Sequence, residues 1–366
     1  MADADRKRWG AVRPGLPAFA PAKRRELILS ALELFHSGSV TVGGLGRQNA
    51  DDFRVSLWET AGLPAPLVDR WSTTLRASLI QREIPVSDEA LALVSLPGNT
   101  FTCLDSVLDQ AERSAGVWVR PSRREPLSAA RLVAALLAVG WPPDRLGFYP
   151  AGHRTLHGLV RRTDRQIVYG GAGLAASVRD SASLTLHGPG RGCALVPPGM
   201  AVGEAVDWLL PLIAADSGRF CSNVRTVVCA DEPEPLASAL AAALDAIHPD
   251  PGNRDWPLTV FREPDSAQQA AGSVSGRMRA GDRLLTRRPP IVREAGGGTY
   301  ALPQLVLLGS DAIRSGLHPL IGHEVPFPFS TVLRARGEVA AAIADESLFV
   351  YRGAPHRTGI EDSHDG

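Results

Sequence analysis

The chain contains no continuous apolar run of roughly the 18 residues that a membrane-crossing helix needs. Its polar, basic start, Met1 to Gly10, is followed by no apolar signal core. Net charge is absent too: Lys plus Arg and Asp plus Glu number 39 each. Without a global field nothing points to nucleic acid, and Arg161, Arg162 and Arg165 read as a solvated helix end. Cysteine is scarce. Cys103, Cys193, Cys221 and Cys229 are too few and too irregularly spaced for a disulfide framework, and no C-x-x-C pair or Cys/His cluster suggests a metal. These absences exclude a spanning helix, a disulfide scaffold and a zinc site, and make the cytoplasm the expected location.

What is present is ordinary for a globular protein: 44% hydrophobic and 21% charged residues. At 366 residues the chain is too long for one core, so two domains are expected. Residues 1–25, punctuated by Pro14, Pro17 and Pro21, read as a loose arm. Residues 26–190 read as N-terminal helices followed by a nucleotide-cofactor domain, and 191–366 as a catalytic domain.

Apolar spacing predicts a helix over Glu26 to His36 and another over Ala50 to Ile80, which Pro64 and Pro66 must split in two. From Glu89 strands and helices alternate: strands over 91–96, 117–119, 146–149, 166–169 and 183–186, with helices over 101–113, 127–139 and 156–160. Short units of this kind argue for right-handed crossovers and a parallel, doubly wound sheet. The second segment carries a strand over 193–196, the helix 203–215 with a kink expected at Pro211, a strand over 224–228 and the Ala-rich helix 236–247.

Cys221 stands out by its neighbours. It lies in Asp216-Ser217-Gly218-Arg219-Phe220-Cys221-Ser222-Asn223, between an amphipathic run and a strand-like Val224 to Val228. A thiol on a loop held by rigid elements is well placed for a nucleophile, although a lone cysteine is more often a packing residue. The other three cysteines, in apolar surroundings, read as packing residues.

Six segments in order give the chain its resemblance to the aldehyde dehydrogenase superfamily. They are Leu96-Pro97-Gly98-Asn99, Val117 to Ser122 with Glu125-Pro126-Leu127-Ser128, Val168-Tyr169-Gly170-Gly171, Leu186-His187-Gly188-Pro189, Gly218-Arg219-Phe220-Cys221, and His323 to Pro328. Within it the chain is most similar to acyl-CoA reductases of the bacterial bioluminescence type, through the short Gly-Asn loop, the Gly-Gly pair, Gly-Pro for Gly-Gly, and Pro-Phe-Pro after the glutamate. The terminal His364-Asp365-Gly366 also resembles their C-terminal signature. The resemblance implies an α/β fold with a Rossmann-type cofactor domain, a parallel doubly wound sheet and a second α/β catalytic domain.

It also implies roles. Cys221 is the expected nucleophile, and the Asn99 amide with the Cys221 backbone N–H would bind the oxyanion. Asn99 read by itself is simply a turn residue. Arg120 and Ser122 would lie near the adenosine ribose. Arg123 stands where NAD-preferring relatives carry an acidic residue, so NADPH is expected over NADH, Arg123 or Arg124 pairing with a 2′-phosphate. Gly170, Gly171 and Gly173 would let the backbone approach a pyrophosphate. Glu324 would hold the nicotinamide ribose from a strand.

Position 186 departs from the pattern. Aldehyde-oxidising members usually carry a glutamate there that activates the deacylating water, and this chain has Leu186. His187 would face the other side of an alternating strand. The expected activity is therefore reduction of an acyl-CoA or carrier-bound acyl group to an aldehyde. Its alternatives are an NAD(P)-dependent aldehyde dehydrogenase and a silent paralogue. The expected partner is the thioester donor, and a homodimer is compatible with this reading.

Overall fold

Alternation of short apolar strands with amphipathic helices builds two compact units. The computed structural model describes residues 20–170, 183–309 and 318–353, less the side chains of His153, Arg154 and Pro264. The first unit comprises Met1–Pro189 with Pro251–Arg262, and the second Gly190–Asp250 with Glu263–Gly366.

The first unit opens with α1 (Pro21–His36), so residues 21–25, read from sequence as part of a loose arm, are helical. Arg24 is buried and donates to the Glu112 and Ser114 carbonyls at 2.9 Å each, which fixes this helix start on the unit. A two-stranded antiparallel ribbon, β1 (Val40–Thr41) and β2 (Arg47–Gln48), leads to α2 (Ala50–Ala61) and α3 (Ala65–Gln81). The proline pair does split this run: α3 starts after Pro64 and carries Pro66 in its first turn, where a missing N–H breaks no bond. Asn49 and Asp52 form a capping box at the start of α2. Phe35, Phe53 and Trp71 pack around Phe101, the Trp71 and Phe101 rings meeting edge to face at 5.2 Å. Two residues after Asn99, Phe101 thus anchors the Asn99 loop to the helical core.

Five strands then form a wholly parallel sheet in the order β5-β4-β3-β6-β7: β3 (Leu91–Ser95), β4 (Gly116–Arg120), β5 (Leu146–Phe148), β6 (Arg165–Tyr169) and β7 (Leu184–His187). Helices α4 (Leu104–Arg113), α5 (Leu127–Ala138) and α6 (His153–Val160) provide crossovers. All five residues of β3 and of β4 are buried, as covered parallel strands require. Strand order reverses between β3 and β6, the point where open α/β sheets bind ligands.

Residues 251–262 return to this unit, which a single cut at 190 does not anticipate. The attachment is specific: Val260 N–H donates to the Gly62 carbonyl at 2.9 Å, and Arg262 lies over the Trp58 ring while donating to its carbonyl.

The second unit has a six-stranded sheet, made of β8 (Gly192–Val196), β9 (Val224–Cys229), β10 (Arg283–Leu284), β13 (Gln304–Leu307), β14 (Phe329–Arg334) and β15 (Val350–Arg352), in the order β10-β13-β14-β9-β8-β15. Every pairing is parallel except β10 with β13. A hairpin of β11 (Ile291–Arg293) and β12 (Thr299–Ala301) precedes β13. The helices are α7 (Val202–Ala214), α8 (Glu234–Asp245), α9 (Pro264–Ser275) and α10 (Gly337–Asp345). Pro211 falls in the last turn of α7, and the chain turns sharply just beyond the helix end rather than within it. Beyond residue 257 the sequence marks only the glutamate segment and the terminal His364-Asp365-Gly366, because the elements here are short and weakly patterned.

Candidate active site

Residues singled out in the first unit gather at the carboxyl ends of neighbouring strands. Asn99 is half-buried in the bend after β3. A side chain at Gly98 would meet Ser122 Oγ at 2.5 Å and Arg124 Cβ at 3.0 Å, so the loops after β3 and β4 are in contact. Ser122 is half-buried and its Oγ accepts the Arg124 N–H, while Arg123 and Arg124 are exposed. Gly170, at the end of β6, donates its N–H to the His187 carbonyl at 3.0 Å. Gly171 and Gly173 lie outside the described residues, as does the terminal His364-Asp365-Gly366.

Arg120 behaves differently from its expected role. It is 3% exposed and donates to the Ala151 carbonyl at 3.0 Å and to Ser95 Oγ at 3.1 Å. Burial, and then the charge of Arg123, lower its pKa. This guanidinium fastens β4 to β3 and to the loop after β5.

The chemistry of the exposed groups fits a phosphorylated nucleotide. Two exposed arginine side chains and a hydroxyl follow β4. The neighbouring carboxylate, Glu125, is buried and accepts both the N–H and the hydroxyl of Ser128 at the start of α5. Those two bonds tie it to the start of that helix.

On β7, Leu186 packs with Leu184 against the cluster of Leu93, Leu156, Leu159 and Val168. His187 faces the other way, exposed, and stacks on Tyr169 with ring centroids 4.5 Å apart and planes 12° from parallel. Tyr169 in turn shares a 2.7 Å hydrogen bond with Ser106. Burial raises the Tyr169 hydroxyl's pKa, and partial desolvation of the stacked His187 ring lowers that of His187.

In the second unit the structure brings Cys221 and Glu324 together. Cys221 is exposed, on a loop that begins with three successive left-handed residues: Asp216 (φ 55°), Ser217 (φ 59°) and Gly218 (φ 62°). Left-handed backbone at two non-glycine positions is strained, so other contacts must hold it. Asn223 is one, accepting the Phe220 N–H at 2.7 Å and donating to the Leu212 and Ala215 carbonyls. Gly218 is required by close approach, since a Cβ there would stand 2.6 Å from the Phe327 carbonyl and from Pro328 Cα.

Glu324 lies in the loop before β14 rather than in a strand, a correction to the sequence reading. The strand starts only at Phe329, because Pro326 and Pro328 cannot donate to a ladder. One carboxylate oxygen accepts the N–H groups of Gly190 at 2.7 Å and Arg191 at 3.3 Å. Desolvation first, then the Glu324 charge, push the Cys221 thiol's pKa up; the backbone N–H groups of Cys221 and Ser222, and Arg225, pull it down. Cys193 and Cys229 are buried in β8 and β9, and burial pushes their thiols up to about 11 and about 12. Cys103 is half-buried at the start of α4.

No family model matches the chain, and none of the curated proteins does. Solved structures do. HpcC from Thermus thermophilus superposes with a TM-score of 0.75 at 16% identity, over 97% of this chain and 79% of that one. An NAD-dependent benzaldehyde dehydrogenase from Corynebacterium glutamicum gives 0.75 at 15% identity, over 96% and 81%. The fold is that of the aldehyde dehydrogenases. Glyceraldehyde-3-phosphate dehydrogenase GapN from Methanocaldococcus jannaschii, solved with NADP, shares it at TM-score 0.70 and 14% identity, over 94% and 77%. Among the described residues no helix is long and apolar enough to cross a membrane, and no group of three or more His, Cys, Asp or Glu could hold a metal ion.

Sequence reading passed over Arg225 and Asn223. A charged residue inside the apolar run Val224-Arg225-Thr226-Val227-Val228 was the available signal for the first; Asn223 left none.

Proposed function

We propose that the chain is an NADPH-dependent acyl-thioester reductase that converts an acyl-CoA or carrier-bound acyl group to an aldehyde. The observation that carries this reading is Leu186, a partly buried apolar side chain against the core, at the position where, by the resemblance, aldehyde-oxidising relatives usually carry a water-activating glutamate.

Cys221, as thiolate, attacks the thioester carbonyl and forms a new S–C bond. The Cys221 backbone N–H donates to the oxyanion, and the Asn99 amide is the proposed second donor. Collapse expels the coenzyme or carrier thiolate, which takes up a proton, and leaves an acyl group on Cys221. A nicotinamide cofactor, when bound, would supply the hydride for reduction of this acyl group. The resulting thiohemiacetal breaks its C–S bond, releasing aldehyde and returning the electron pair to sulfur. Leu186 slows hydrolysis of the acyl-enzyme by offering water no base. Ser122 and Arg123, with Gly170, are the proposed cofactor contacts, Arg123 selecting for the 2′-phosphate. Arg120 supports them from below.

The test is incubation of the protein with NADPH and a panel of acyl-CoAs, following cofactor absorbance and trapping aldehyde, beside Cys221→Ala. Cofactor oxidation with matching aldehyde, lost in the variant, is expected. Carboxylic acid formed from aldehyde and NAD(P) without CoA would instead favour an aldehyde dehydrogenase using the exposed His187 as base. No product and no acyl mass on Cys221 would leave a silent paralogue.

A further inference from the structure

Arg225 is the second residue of the buried strand β9, just after the loop that carries Cys221. Its side chain is fully buried, and its hydrogen bonds go to backbone carbonyls and not to a carboxylate. Nη2 donates to the Gly218 carbonyl and Nη1 to the Phe327 carbonyl at 3.2 Å, while Nε is buried without any acceptor.

A comparison within the same chain shows how unusual this is. Arg131, also buried, donates from Nε to the Phe35 carbonyl, from Nη1 to the Gln48 carbonyl and from Nη2 to the Leu34 and Gly38 carbonyls. Every nitrogen of Arg131 is engaged, as expected of an arginine that only ties elements together. Arg225 engages only two of its three nitrogens, and an apolar residue of like volume would avoid the desolvation of its charge. Burial brings its pKa down to about 10, and it stays a cation at neutral pH.

Its two bonds join the left-handed turn 216–218 to the segment that follows Glu324. The same contact line makes Gly218 obligatory, because the turn lies directly on Phe327 and Pro328. The positive charge is felt by both Cys221 and Glu324.

We propose that Arg225 is the positioning residue of the nucleophile: it clamps the turn before Cys221 onto the Glu324 loop and holds a fixed positive charge beneath the thiol. The charge opposes burial and the Glu324 carboxylate, both of which disfavour the thiolate. The clamp keeps the strained turn, and therefore Cys221, in one position. This rests on Cys221 being the reactive thiol of the proposed function, but it needs neither cofactor nor thioester to be tested.

The experiment is the pH profile of Cys221 alkylation by iodoacetamide, read by mass spectrometry on the full chain. In that reaction the thiolate sulfur bonds to the methylene carbon, iodide leaves, and the thiol proton has gone to buffer. Arg225→Gln keeps an amide donor and removes the charge; Arg225→Lys keeps the charge and loses the fork. Arg225→Gln is expected to shift the profile upward by about one pH unit, a fall of about tenfold in rate below the midpoint. Arg225→Lys is expected to keep the midpoint within a few tenths of a unit. A folded Arg225→Gln variant with the wild-type profile overturns the proposal. If that variant does not fold, Arg225→Lys decides: a midpoint displaced as far as one unit overturns it, and an unmoved one supports it. A wild-type Cys221 that resists alkylation at every pH sinks the nucleophile reading and this proposal with it, whereas a reactive Cys221 unmoved by the variants sinks this proposal alone.

Discussion

Gly190 lies directly against the backbone of Cys221. A Cβ at position 190 would stand 2.6 Å from the Cys221 carbonyl carbon and 3.0 Å from its Cβ, and the Gly190 N–H is already held by Glu324 at 2.7 Å. The start of the second unit and the nucleophile loop are thus packed with no room for a methyl group. Gly190→Ala is expected to destabilise the protein by about 1–3 kcal/mol through overpacking. It should also slow alkylation of Cys221 more than that of the other cysteines. Urea unfolding and site-resolved alkylation check the two parts.

Glu324 and Cys221 are coupled by charge, with a definite sign. The carboxylate raises the thiol's pKa, so Glu324→Gln is expected to move the alkylation profile of Cys221 to lower pH. If the profile rose or stood still, the carboxylate would have no electrostatic influence on the thiol. In the wild type the profile should have its midpoint above the ordinary cysteine value, because loss of solvation around the sulfur is the largest influence on this group.

Arg120 and Arg123 are expected to separate stability from cofactor choice. Arg120→Met leaves the Ala151 carbonyl and Ser95 hydroxyl without their buried donor, a loss of about 1–3 kcal/mol in urea unfolding. Arg123→Glu, on an exposed side chain, should leave stability within about 0.5 kcal/mol. It should weaken NADPH binding by roughly tenfold or more while sparing NADH, as loss of a charge-assisted phosphate contact implies. Equilibrium binding followed by cofactor fluorescence distinguishes the two effects.

Leu186→Glu places a carboxyl group against Leu156 and Leu159. Destabilisation of about 1–3 kcal/mol is expected from burying it. In the folded fraction, carboxylic acid should rise several-fold relative to aldehyde as the acyl-enzyme gains a water-activating base. Product ratios by chromatography read this directly, and an unchanged ratio would remove Leu186 as the determinant of reaction type.

His323 gives the fold an acid-sensitive contact. Burial first, then the charges of Arg277 and Arg225, lower its pKa from the usual 6.5 to about 4, and its Nε2 pairs with Ser273 Oγ at 3.1 Å. The unfolded chain therefore binds a proton that the folded chain refuses. The contribution to stability is complete above pH 6.5, declines as pH falls through that value towards about 4, and is lost below it. Urea midpoints between pH 4 and 7 should show this slope, and His323→Gln should flatten it.

Much of the fold was legible because its signals are local. The strands of the five-stranded sheet are short and bounded by turn residues, β3 and β4 being almost wholly apolar, and each crossover helix carries its own period, so alternation alone predicts a parallel sheet. Pro64 and Pro66 break a helix wherever they occur, and Cys221 sits between a helix and a strand that sequence alone marks. What tertiary structure decided depends on residues far apart along the chain. The return of 251–262 rests on Val260 meeting Gly62, and Arg120 reads as a ligand until its guanidinium is seen buried on Ala151 and Ser95. Glu324 reads as a strand residue until it is seen holding Gly190. Arg225 is one charge in an apolar run until its two carbonyls, 7 and 102 positions away, are brought to it. Period and composition record how a segment packs against a core, whereas a buried charge or a glycine under a backbone is specified by whichever distant atom arrives there.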